Sequence, residues 1–226
     1  MRKNKVLYEL PPSANISVQG EVYTTNPNNP TSVEKFVDLE VVYNNTSYYT
    51  DNAGNVTIPS NSGAAQYYLE GNFAKVQTNN YVPTFNSSLS NSSVFFNNSN
   101  STIQERTAYH AVNRIHSHLK SVFPNFTALD IPMPTNVDEA GSCNAYYDGS
   151  SINFYEQGGG CHATANFPDV VFHEYGHAIN GWKYGSGMQN GAQNEGYADL
   201  WALTLTEYPI LGEGWYTNDP TSSVRR

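Results

Sequence analysis

Apolar positions recur along this chain with two different periods, and the change falls near residue 100. Upstream, Ser17–Tyr23, Lys35–Tyr43 and Ala65–Leu69 are short runs of β-branched and aromatic residues, which predicts strands. Between Tyr49 and Ile58, the run from Thr50 to Asn55 predicts a turn, with Gly54 suited to positive φ. Residues 84–102 are rich in Asn and Ser, broken only by Leu89 and Val94-Phe95-Phe96, and read as a linker or a lone edge strand. Then the period lengthens. Ala108, Val112, Ile115, Leu119 and Val122 alternate spacings of four and three, so an amphipathic helix runs here and ends before Pro124. Thr102 and Glu105 have the capping-box spacing that opens it.

A second helix follows from Val170-Val171-Phe172 into His173-Glu174-Tyr175-Gly176-His177. Two residues four apart turn through about 400° and rise about 6 Å, so His173 and His177 share a face and can reach one metal ion. Glu174 lies about 100° from His173 around the axis, near the ion's open side and out of line with the histidine pair. From there a carboxylate can take a proton from a water on the metal. A third helix opens at Asn194-Glu195, with Tyr197, Leu200, Trp201 and Thr204 at helical spacing before Pro209. Glu195 and Asp199 repeat the four-residue spacing. If Glu195 reaches the metal, Asp199 stands one turn on, where it can accept the second N–H of a ligand histidine.

His-Glu-x-x-His followed by Asn-Glu-x-x-x-Asp resembles the gluzincin metallopeptidases, the thermolysin-like and fungalysin-like enzymes in particular and their secreted bacterial forms above all. The resemblance implies Zn²⁺ held by His173, His177 and Glu195, Glu174 as general base, and Asp199 orienting His173. It implies that Asn144 and Ala145, in Asn144-Ala145-Tyr146-Tyr147, belong to the edge strand on which a peptide or protein substrate is laid. Asp169, one turn before His173, is expected to ligate Ca²⁺ or cap the helix, and Glu207 could share the calcium although it is one residue off the family's register. Seventeen residues separate His177 from Glu195, slightly fewer than in thermolysin itself, so the loop between them differs. In the family a mostly helical lobe supplies an oxyanion histidine, and the thirty-one residues after Glu195 hold no histidine. The chain is therefore expected to be a partial one that lacks the C-terminal lobe.

The expected fold class is α+β: a β-rich N-terminal part, a small β-sandwich, and then the helix–strand–active-site-helix portion of a thermolysin-like catalytic domain. The expected divisions are 1–80 as a β-rich domain or insertion of the regulatory-sandwich type, 81–102 as the Asn/Ser-rich piece, and 103–226 as the catalytic region. A reading of 1–80 as part of the peptidase's own first lobe stays open, because strand patterns of this kind are generic. Cys143 and Cys161 flank the substrate strand, and a disulfide there would contribute on the order of 3 kcal/mol by loop closure. The alternatives are two thiols, or one cysteine as a metal ligand. His110, His116 and His118 lie off the first helix's apolar stripe with no pair at i, i+4, so they are expected to face solvent. His162 receives no role.

Composition narrows the partners. A formal charge of -9 argues against nucleic acid and anionic membranes, and no run approaches eighteen apolar residues. Charged residues make up only 14% against plentiful Asn, Ser, Thr and Tyr, which suits a secreted protein whose signal lies outside this chain. The function expected is a zinc endopeptidase. The alternative is a secreted binding or structural module with an inert or structural zinc site.

Overall fold

In the computed structural model, which describes residues 12–185 and 190–225, nine strands precede the first long helix. They are β1 (Ala14–Val22), β2 (Ser32–Lys35), β3 (Leu39–Tyr43), β4 (Thr46–Tyr49), β5 (Asn55–Ile58), β6 (Ala64–Gly71), β7 (Ala74–Gln77), β8 (Thr84–Ser88) and β9 (Ser93–Phe96). Helix α1 (Ile103–Val122), strands β10 (Met133–Glu139), β11 (Ala145–Tyr147) and β12 (Ile152–Tyr155), and helices α2 (Pro168–Tyr184) and α3 (Gly191–Thr206) follow. The fold is α+β with its β-rich part first, as the two periods predict.

In the smaller sheet β1 pairs antiparallel with β2 and β5 and parallel with β9. The larger sheet runs β11-β12-β10-β7-β6-β3-β4, with β8 also on β6. Strands from both sides of the expected 81–102 divide share this sheet, because β7 pairs in parallel with β10 through a crossover that includes α1. A single apolar core gathers Ile16, Val18 and Phe36 from one sheet, Tyr67, Val76 and Phe154 from the other, and the inner faces of α1 and α2.

The expected strand Lys35–Tyr43 is two strands. β2 ends at Lys35, Phe36 turns into the core, and Asp38 takes a left-handed φ of 57° before β3 begins in the other sheet. An aromatic and β-branched run marks extended backbone, and it does not mark the point where the chain leaves one sheet for the next.

Helix α1 begins with both halves of its capping box: Glu105 N–H donates to Thr102 Oγ1 at 3.2 Å, and Thr102 N–H donates to Glu105 Oε2 at 2.6 Å. Its apolar stripe packs on β1, β7 and β10 on one side and on α2 on the other. The α1 histidines differ from expectation. His116 is buried, stacked on Phe73 and hydrogen-bonded to Asp130 at 3.0 Å. Burial drives the His110 imidazole down to about 4. His118 is half-buried, its Nε2 3.1 Å from Thr204 Oγ1 on α3. The stripe rule failed because α1 has partners on more than one side.

Helix α2 enters through Pro168 at its first turn and is buried along most of its length, with Val171, Phe172 and Tyr175 fully covered. Burying each such side chain contributes about 1.5–3 kcal/mol. α3 starts three residues earlier than the apolar spacing predicts, because Asn190 caps it by accepting from the Ala192 and Gln193 N–H groups. It crosses α2 at Gly176, where an added Cβ would sit 2.9 Å from Ala198 Cα and 3.1 Å from its carbonyl oxygen. Only glycine admits that approach, and the approach brings the polar side chains of the two helices together. The rest of α3 is thinly covered, with only Ala198 and Ala202 buried among its residues.

Candidate metal centre

The i, i+4 spacing on α2 sets His173 Nε2 and His177 Nε2 3.0 Å apart, with the rings nearly perpendicular at 88°. His173 is buried and His177 is mostly covered, with 11% of its side chain exposed, so the two ring nitrogens face each other largely out of water. α3 brings Glu195 against them: Oε2 lies 3.4 Å from His173 Nε2 and Oε1 lies 3.5 Å from His177 Nε2. Ligands at about 2.0–2.1 Å from a tetrahedral zinc stand about 3.3 Å from one another. The observed separations are close to that value, the two longer ones being made by different oxygens of the one Glu195 carboxylate.

Glu174 is the second carboxylate at this place, its oxygen within 4.8 Å of both imidazole nitrogens. Burial pushes its carboxyl up to about 7, with His173 pulling it down and Glu195 pushing it up. A bound cation would add its own attraction and lower it. Asp199 Oδ1 is 2.8 Å from His173 Nδ1, although the ring N–H does not aim straight at that oxygen. Burial opposes ionisation of Asp199, yet the adjacent His173 ring and the hydrogen bond from Arg225 outweigh it and hold the carboxyl below its ordinary value. For His177, burial and the neighbouring His173 both lower the imidazole pKa, which keeps it neutral and able to donate a lone pair.

Arg225 is the participant that sequence reasoning missed. Its Nη1 donates to Asp199 and its Nη2 to Glu195, each at 2.7 Å. Leu211 bridges to Arg225 through backbone hydrogen bonds and so delivers the guanidinium to the site. Nothing periodic marks the 207–225 loop, and the pairing joins residues 26 and 30 positions apart.

These groups line a groove of about 490 Å³ whose opposite wall is Cys143 to Tyr147, with Trp215 and Tyr216 at one side. Cys143 and Cys161 are disulfide-bonded, Cα atoms 5.3 Å apart, which ties the start of that wall to the loop before α2. β11 ends the sheet order, so its outer edge meets the groove. Asn144 points its carbonyl inward, to Thr164 Oγ1 at 3.0 Å and Tyr155 N–H at 3.4 Å. Backbone groups alternate along a strand, so Ala145 and Tyr147 direct theirs outward. The Tyr147 N–H accordingly lowers the pKa of Glu174 by hydrogen bonding.

Asp169 lies off the groove. Its Oδ1 accepts from the Val170 N–H at 2.8 Å and its Oδ2 from the Gly212 N–H at 2.7 Å, so from the first turn of α2 it anchors the 207–225 loop, while the helix itself starts at Phe167 without a side-chain cap. Burial raises its carboxyl to about 6 despite those bonds. Among the described residues the group of converging metal-ligating atoms is His173, Glu174 and His177, and both Glu195 and Asp169 are outside that cluster. Glu207 closes α3 in a left-handed conformation. His162 also lies outside the groove lining, packed against Phe167.

No family model matches the sequence, and no curated protein matches it. A solved structure similar to this chain is the precursor of protealysin, a metalloproteinase from Serratia proteamaculans. The two are 20% identical over 53% of this chain and 42% of that one, with a TM-score of 0.46. This chain thus spans less than half the length of that precursor.

Proposed function

We propose that this groove is the active site of a zinc-dependent endopeptidase of the gluzincin type, acting on peptides outside the cell. The observation that carries the reading is the convergence of His173 Nε2 and His177 Nε2, 3.0 Å apart, with the two oxygens of the Glu195 carboxylate at 3.4 and 3.5 Å from them. Zinc there would polarise the scissile carbonyl and acidify a water. His173, His177 and Glu195 would hold it, which suits a set of two nitrogens and one carboxylate that leaves a position open. Asp199 orients the His173 ring, and Arg225 pairs with both Asp199 and Glu195.

Glu174 is then free for proton transfer. Its carboxylate takes the proton of the attacking water and passes it to the leaving amine. The substrate lies as an added strand along the outer edge of β11, pairing with the N–H and C=O of Ala145. The disulfide fits an oxidising compartment. Among the described residues no helix is long and apolar enough to cross a membrane.

The test is Glu174→Gln, which keeps shape and removes the base. Elemental analysis of protein purified without chelator should give one zinc per chain in both forms. Peptide hydrolysis by the full-length protein should fall by at least about a hundredfold, the lower end of what loss of a general base costs. Undiminished hydrolysis with zinc retained leaves zinc a structural role and refutes the mechanism.

A further inference from the structure

Four strands of the larger sheet share one row of polar side chains that the metal centre does not use. In register, Gln77 on β7 faces Asn136 on β10, Asn136 faces Asn153 on β12, and Asn153 faces Tyr146 on β11. Hydrogen bonds run along the row. Gln77 Nε2 donates to Asn136 Oδ1 at 2.6 Å, and Asn136 Nδ2 donates to Asn153 Oδ1 at 2.6 Å. Asn153 Nδ2 then donates to the backbone carbonyls of Tyr146 at 3.3 Å and Ser151 at 3.1 Å. Ser151 Oγ continues to Asp148 Oδ2 at 2.8 Å, in the turn that joins β11 to β12.

Asn153 is only 3% exposed, so its amide is cut off from water and depends on these partners. One of them, the Tyr146 carbonyl, is backbone of the three-residue strand β11, which pairs with β12 at the end of the sheet order. So short an edge holds its register weakly, and a slip of one residue would exchange its inward and outward groups. Ala145 would then turn its N–H and C=O away from the groove. We infer that the Gln77–Asn136–Asn153 row locks the register of β11, making Asn153 a positioning residue for substrate through Tyr146. The inference rests on the peptidase reading, because it assigns the locked edge to an incoming peptide.

Asn153→Leu keeps the volume and removes the amide. Two readouts are needed on zinc-loaded protein. The first is hydrogen–deuterium exchange over residues 143–148, which does not depend on activity; exchange should rise about tenfold there and stay unchanged in α1 and α2. The second compares a hydroxamate-capped tripeptide, which grips zinc and pairs along the edge, with acetohydroxamate, which only grips zinc. The tripeptide should lose about tenfold in affinity, the worth of one good hydrogen bond, and acetohydroxamate less than about twofold. Unchanged exchange at 143–148, or equal losses for both hydroxamates, overturns the inference. If Asn153→Leu raises exchange throughout the chain, Asn136→Leu and Gln77→Met are read instead, and smaller rises confined to 143–148 support it while none in either overturns it. Failure of both hydroxamates to bind the wild-type protein refutes the zinc site and leaves exchange to decide the register lock.

Discussion

Helices α1 and α2 both carry histidines, and neither helix leaves them simply in solvent. On α1, residues 110, 116 and 118 fall at spacings that spread them around the axis. Each finds a different neighbour: His110 the backbone of Lys35, His116 the ring of Phe73 and the carboxylate of Asp130, His118 the hydroxyl of Thr204. On α2 the spacing of four stacks two rings on one face, and Gly176 lets α3 add a carboxylate within 3.5 Å of both. The number of histidines is greater on the helix that cannot gather them. What makes a candidate metal centre is shared direction plus a close crossing, and α1 has neither.

The sharpest way to break this contrast is His177→Ala. It should remove about a thousandfold or more of zinc affinity, one ligand's share of a site worth 10–16 kcal/mol, as measured by competition with a chelator. The same change at His110 or His116 should leave zinc stoichiometry at one. Zinc retained by the His177→Ala protein at wild-type affinity would mean that the α2 pair is not the site.

Asp199→Asn comes next, with an expected loss of tenfold to a hundredfold in zinc affinity as His173 loses an anionic partner. Its neighbour Arg225 would also lose half of its hold, so the loop from 207 to 225 should exchange amide protons faster.

The α1 histidines predict a pH effect in place of a metal effect. Burial lowers both His110, to about 4, and His116, whose bond to Asp130 offsets burial only in part. Unfolded histidine titrates near 6.5 and binds protons more readily than these buried rings do. Stability is therefore complete above about pH 6.5 and is lost as pH falls from there towards about 4, by up to about 3 kcal/mol for His110 alone. Urea unfolding at pH 7.5 and 4.5 measures this, and His110→Phe should shrink the difference. The smallest effect belongs to His118→Ala, expected to cost about 0.5 kcal/mol or less because a surface hydrogen bond to Thr204 is replaced by water.

The parts legible in sequence are those whose geometry is local. Helical period fixes that His173 and His177 share a face and that Glu195 and Asp199 share another, while the meeting of the two faces was implied only by the family resemblance; the capping box of α1 is a four-residue event. The disulfide could be posed as one outcome among three, since spacing brackets a loop without showing that the sulfurs meet. Arg225, the amide row and the break at Asp38 were not legible, because each depends on which strand or loop lies alongside. The start of α3 was missed for a smaller reason. Its first turn, Gly191-Ala192-Gln193, carries no apolar signal, and the cap at Asn190 resembles the loop residues before it.

The thin covering of α3 ties the proposed chemistry to the chain's economy of order. Apart from Ala198 and Ala202, no residue of this helix is fully buried, so a cation shared by His173, His177 and Glu195 would add a cross-link to two helices that already meet at Gly176 and through the Asn180–Asn194 hydrogen bonds. Stability of the α2–α3 pair and occupancy of the site would then be linked. Above the dissociation constant, each tenfold rise in free zinc would stabilise the native chain by about 1.4 kcal/mol. Free metal in the surroundings would thereby set how long the Glu195 arm stays in place, and with it how readily the helix opens to a protease.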